Sequence, residues 1–123
     1  MAAFGLPKGT PEEKRLRSEA IQRSTLFAAQ IPLETMRSAL DVFPLCKAMV
    51  EQGNPNSVSD AGVGALAARA AVLGAGLNVK INAASLKDKE MATQLIEEAE
   101  CLMSQAQVAE TEILEKVREV IAH

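Results

Sequence analysis

The stretch NPNSVSDAGVGALAARAAVLGAGLNVKIN, Asn54 to Asn82, limits what this chain can fold into more than any other part of it. It opens on polar cap residues, runs through small apolar ones with Arg69 near its middle, and ends on asparagines and a lysine. Gly and Ala at this density let a neighbouring helix approach closely, whereas each Gly inside a helix costs about 0.5–1 kcal/mol relative to Ala. Gly62, Gly64, Gly74 and Gly76 are therefore not there for helix stability. Three readings are open: a membrane span, a core helix, or one wall of a site. As a span, the apolar part from Ala61 to Leu77 is at the short limit for crossing a bilayer, and Arg69 adds roughly 2.5 kcal/mol or more at its centre. The segment is expected in a protein core.

The chain has 123 residues, one domain's worth, with three Phe and no Trp or Tyr. Its core must be filled by Ala, Leu, Val, Ile and Met, which favours closely packed helices over sheet. Thr10-Pro11-Glu12-Glu13 combines an N-cap hydroxyl, a proline at the first helical position and a glutamate at the third, so a helix starts there. Leu16, Ala20, Phe27 and Ile31 recur in it at helical spacing. Pro32 is expected to interrupt or kink this segment, with a second helix from about Leu33 to Glu51. Met36, Leu40, Phe43 and Val50 form its apolar face, Pro44 is a further kink, and Gly53 fits a left-handed helix end. A turn at Asn54-Pro55-Asn56 leads into a helix over about Ser57–Ala83. The last helix, from Ser85 or Asp88 to the C-terminus, carries the stripe Met91, Leu95, Ala99, Leu102, Ala106, Ala109, Ile113, Val117 and Val120. The fold class is all-α, a helical bundle with long antiparallel helices.

A net charge of −3 gives no basic footprint, and no aromatic residues interleave with Lys or Arg, so nucleic acid is not expected as a partner. No membrane partner is expected either. Cys46 and Cys101 form no CxxC pair and sit in amphipathic patterns; they read as buried, reduced thiols of a cytoplasmic protein, and no metal site is suggested. MAAFGLPKGT lacks the features of a secretory signal. His123, the single histidine, reads as a solvated end. Met36, Met49, Met91 and Met103 fill core gaps. Lys14, Arg15 and Arg17 form a solvated basic face that an anionic ligand tail could use.

At about 100° per residue, Asp60, Gly64, Ala67, Ala71, Gly74, Asn78 and Asn82 share one face, while Arg69 and Lys80 lie about 180° and 200° away. Tight helix packing with Asp60 as a capping residue explains this face. So does a shallow groove for a flat ligand, with hydrogen bonds from Asp60, Asn78 and Asn82 and with Asp60 able to do acid/base work.

GLPKGTPEEK (Gly5 to Lys14), IPLE (Ile31 to Glu34) and above all GNPNSVSDAGVGALAARAAVLGAGLNVKIN (Gly53 to Asn82) resemble the cyclodeaminase domain of formimidoyltransferase-cyclodeaminase, in a family that includes methenyltetrahydrofolate cyclohydrolases. The likeness runs in order over nearly the whole chain. It implies a cytoplasmic, all-helical homodimer or higher homo-oligomer, a lyase of one-carbon metabolism and histidine degradation. Such an enzyme closes 5-formimidotetrahydrofolate to 5,10-methenyltetrahydrofolate and releases ammonia, with the tetrahydrofolate derivative as substrate and no tightly bound cofactor. That chemistry needs an acid for the leaving amine, hydrogen bonds for the pterin and cations for the glutamate tail. The resemblance assigns catalysis to Asp60 and substrate binding to Asn56, Ser57, Asn78, Lys80 and Asn82. Family members also carry an upstream P-x-P-G-G-G-S segment, further helices and an acidic segment with a catalytic aspartate. None of these is in the present sequence, which corresponds to the C-terminal portion of the domain, with Met1 an internal methionine of a longer frame or the start of a truncated one. The alternatives are a cyclohydrolase and a non-catalytic helical scaffold or inactive truncated subunit.

Overall fold

Helix α1, Pro11–Leu40, begins where its cap dictates: the Glu13 amide donates to Thr10 Oγ1 at 3.1 Å and Pro11 takes the first position. These features come from a computed structural model that describes residues 2–122; His123 lies outside them. Contrary to expectation, α1 does not end at Pro32. Proline cannot donate to the carbonyl four residues back, Ala28, which leaves that acceptor without its intrahelical partner. The Asn82 side-chain amide donates to Ala28 O at 3.1 Å, filling the gap from a neighbouring helix.

The break falls instead at Asp41, before helix α2, Val42–Gln52. In a continuous helix Pro44 would have to donate to Leu40; with the break ahead of it, Pro44 sits in the first turn of α2, where amides have no intrahelical partner. Gly53 is not left-handed, with φ −83° and ψ 176°. Its lack of a side chain matters for a different reason, since a Cβ would lie 2.3 Å from the Met49 carbonyl oxygen.

A 3₁₀ turn, Pro55–Ser57, leads into α3, Val58–Ala84, and Asp88 caps α4, Lys89–Ala122, by accepting from the Met91 amide at 3.1 Å. Helix α3 is the hub, packed against α1, α2 and α4. Arg69–Glu110 and Lys80–Glu100 ion pairs step in opposite senses along α3 and α4, so these helices are antiparallel. Ala28–Asn82 and the Lys87 bonds to Ser18 and Gln22 set α1 antiparallel to α3 as well. Gly76 permits the close approach: a Cβ there would meet Met103 Sδ at 2.8 Å and Met36 Cε at 3.2 Å.

The core follows the α4 stripe, with Leu95, Ala99, Leu102, Ala106, Ile113 and Val117 buried against Val58, Ala61, Ala65, Val72 and Val79 of α3. On α1 the core side is Ala29, Leu33 and Met36, and the expected stripe faces outward, with Leu16, Phe27 and Ile31 exposed. Helix α1 is apolar on both sides, and only the side with Ala29 lets it approach a helix of Ala and Gly. Met49 is exposed because Phe43, Cys46 and Val50 occupy the inner face of α2, and Cys101 is exposed on the outer side of α4. By length and hydropathy residues 55–84 could cross a membrane, yet the inner face of α3 is buried among three helices. Its outer face, with Val63, Leu66, Leu77 and Ile81, is apolar and exposed.

Candidate functional site

The small face of α3 is largely left open. Ala67, Ala71, Gly74 and Asn78 are exposed, and a Cβ on Gly74 would meet nothing within 4 Å. Where this face passes α1, Ala28, Pro32 and Thr35 form the opposite wall of a trough of about 560 Å³ that includes Ala71, Asn78 and Asn82. Ala28 and Asn82, joined by their hydrogen bond, also wall a separate apolar cavity of about 280 Å³ beside Phe4, Ile21 and Thr25. That cavity adjoins, at Ile21, a third of about 440 Å³ walled by Lys8, Lys14, Arg17 and Lys87. The three neighbouring depressions along α1 form a seam that changes from small and polar, through apolar, to cationic. A further depression, between α1 and α4, is bridged by the Arg37–Glu98 ion pair, with Glu34 on its lining outside that pair.

The residues assigned from the sequence fall into separate groups. Asn78 and Asn82 line the trough. Both hydrogens of the Asn82 amide are engaged, by Ala28 O at 3.1 Å and Asn78 O at 2.9 Å, so towards a ligand Asn82 offers its oxygen. Asn56, Ser57 and Asp60 lie at the other end of α3. Eighteen residues separate Asp60 from Asn78 (78 − 60), which at 1.5 Å per residue is roughly 27 Å. Asp60 is exposed in the first turn, and Ser57 makes no side-chain cap bond. Lys80 points to α4 and pairs with Glu100 at 2.5 Å, away from the trough. Periodicity had placed Lys80 and Arg69 on one stripe opposite Asp60, and the two α4 pairings agree.

Sequence reasoning missed Thr35, Phe4, Lys8 and Lys87 as members of the seam. Pro32 was the available signal: a proline inside a long helix leaves a carbonyl that some other element must satisfy, and that element becomes the opposite wall.

Fold and seam define an all-helical domain with an elongated groove suited to a flat small molecule that is polar at one end and anionic at the other. The chain belongs to the formiminotransferase-cyclodeaminase family, whose model matches residues 1–101. It is 40% identical over 118 residues to the methenyltetrahydrofolate cyclohydrolase of Methylorubrum extorquens, covering 96% of this chain and 57% of that protein. With the formimidoyltransferase-cyclodeaminase of Gallus gallus it shares 36% over 106 residues, 80% of this chain and 20% of the relative. The Dictyostelium discoideum formimidoyltransferase-cyclodeaminase is 35% identical over 122 residues, 98% of this chain and 21% of the relative. The chain thus spans little more than half the length of the first of these and about a fifth of the others.

Proposed function

We propose that this chain handles one-carbon-substituted tetrahydrofolate as a cyclodeaminase, closing 5-formimidotetrahydrofolate to 5,10-methenyltetrahydrofolate with loss of ammonia. The observation that carries the reading is the seam: Thr35, Asn78 and Asn82 offer hydrogen-bonding groups at one end and four cations lie at the other. In the reaction N10 of the substrate attacks the carbon of the protonated formimido group, the bond from that carbon to its terminal nitrogen breaks, and the proton lost from N10 leaves with that nitrogen as ammonia, the positive charge staying on the methenyl product. A group that gives and takes this proton is required. None of the trough residues named above titrates near neutral pH, and Asp60 is too far along the same helix to serve it.

A homodimer resolves the distance. The outer face of α3 carries large residues at its ends, Val63 and Leu66 against Leu77 and Ile81, with Ala70 and Gly74 between them and no charge. This arrangement is self-complementary for two antiparallel copies, as a twofold interface requires. Val63 then meets Ile81 of the second copy, and Asp60 arrives beside the second copy's Asn82. Helix α3 is 27 residues long. At about 40 Å it is long enough to run through the centre of an interface of the usual size for stable dimers. The free thiols Cys46 and Cys101 support a cytoplasmic setting.

The second reading, methenyltetrahydrofolate cyclohydrolase, is favoured by the 40% identity over 96% of this chain. Ammonia release from 5-formimidotetrahydrofolate, against loss of the methenyl compound by hydrolysis, separates the two. A saturable rise in melting temperature with folinic acid separates both from a scaffold. Asp60→Asn is expected to reduce turnover without lowering the melting temperature. Equal loss of both would return Asp60 to a purely structural role.

A further inference from the structure

We infer that Pro32 is a positioning residue for the trough: by freeing the Ala28 carbonyl it fixes Asn82 with its oxygen towards the ligand, and that oxygen accepts from a ligand N–H. Which N–H this is, N10 of a tetrahydrofolate, rests on the proposed function. Asn82 Nδ2 lies 3.1 Å from Ala28 O on α1 and 2.9 Å from Asn78 O on its own helix. An atom placed between two carbonyl oxygens is the donor end of the amide, and Oδ1 cannot exchange with it without facing both acceptors. Pro32 maintains the contact at Ala28, because any other residue at this position would bring an amide of its own to that carbonyl. An unconstrained Asn turns either end to a ligand, whereas Asn82 is committed to accepting.

Thr35, on the opposite wall, has the same sense. Its Oγ1 donates to Ile31 O at 3.3 Å and keeps its lone pairs for a ligand. Asn82 meets α1 at Ala28, and Thr35 lies seven residues further along (35 − 28), roughly 10 Å at 1.5 Å per residue. The trough thus holds a fixed acceptor towards each end, which suits a flat ring system carrying N–H donors at both ends over one edged by carbonyls. Asn82 lines the apolar cavity as well as the trough, so a ligand spanning the two passes it at the link between its ring and its apolar section. In the proposed substrate that link is N10, the attacking nitrogen. An N10–H held by Asn82 Oδ1 sets the direction of the N10 lone pair, and it leaves the 2-amino group of the pterin at the Thr35 end.

The test titrates the full chain with folinic acid, with its 10-deaza counterpart, in which a methylene replaces the N10 N–H, and with its 2-desamino-2-methyl counterpart, both nearly unchanged in shape. Folinic acid should bind about fivefold more tightly than either, the worth of one hydrogen bond in an open site. Pro32→Ala should bring the first preference below about twofold and leave the second, and Thr35→Val should do the reverse. Such selective loss marks the placement of one ligand group, since a folding defect would weaken all three ligands alike. Equal binding of folinic acid and its 10-deaza counterpart by the wild type, a preference that survives Pro32→Ala, or a uniform loss in that variant overturns the inference while leaving folate binding intact. If no folate binds, 3-aminoquinoline and 3-methylquinoline decide. A preference for the amino compound that Pro32→Ala removes upholds the fixed acceptor and sinks the folate reading; no preference overturns the inference as well.

Discussion

Asn82 donates both hydrogens of one side-chain amide to main-chain carbonyls on different helices, and one of these carbonyls is free only because Pro32 cannot occupy it. Asn82→Ala is expected to cost about 0.5–1.5 kcal/mol, the net worth of a hydrogen bond whose carbonyl can turn to water instead. The cost should fall by about 1 kcal/mol in a Pro32→Ala background, where residue 32 regains an amide for Ala28; a denaturant double-mutant cycle reads this coupling, and additive effects would refute the pairing. The cysteines give a second check at this scale. Cys46 is buried beside Gly64, and burial pushes its thiol pKa up, whereas Cys101 is exposed. An alkylating reagent should modify Cys101 in the native protein and Cys46 only on unfolding. A raised folded pKa means the stabilisation is intact below the ordinary thiol range and is lost as pH rises through about 8.5 towards the folded value. Cys46→Ala should flatten that alkaline decline in a pH series of denaturation curves.

At the level of elements, α4 was legible residue by residue because its stripe is the only apolar one it has. Helix α1 was not: it carries two apolar stripes, and the choice between them depends on how closely α3 allows a neighbour to approach. Pro32 and Pro44 show the same dependence. Both remove an amide, but only Pro32 has a donor from another helix to compensate, so the chain breaks near Pro44 instead. Between α3 and α4, Glu110 is 6% exposed and pairs with Arg69 at 2.8 Å. Glu110→Ala should cost on the order of 3 kcal/mol by stranding the arginine. Arg69→Met/Glu110→Leu should recover most of it, as measured by urea unfolding. If the single variant were neutral, the pair would not join the two helices.

For the whole molecule, the feature that calls for a partner is the outer face of the central helix, where Val63, Leu66, Leu77 and Ile81 are apolar and exposed. Leu77→Glu/Ile81→Glu is expected to convert a dimer into monomers with unchanged helix content, seen by sedimentation; a wild-type chain that is monomeric at micromolar concentration would contradict the pairing. The site was partly legible too. Asn78 and Asn82 of the small face of α3 do line the trough, but helical periodicity records angle and not distance, so it grouped Asp60 with them across roughly 27 Å. Lys8 and Lys87 come from turns that only the packing of α1 on α3 brings together. The central claim, that folate occupies the α1–α3 seam, is tested most directly by amide chemical-shift mapping of the ¹⁵N-labelled chain titrated with folinic acid. The account predicts saturable shifts centred on Thr35, Ala71, Asn78 and Asn82. Shifts confined to the α2 end of the bundle, or none up to millimolar ligand, would contradict it.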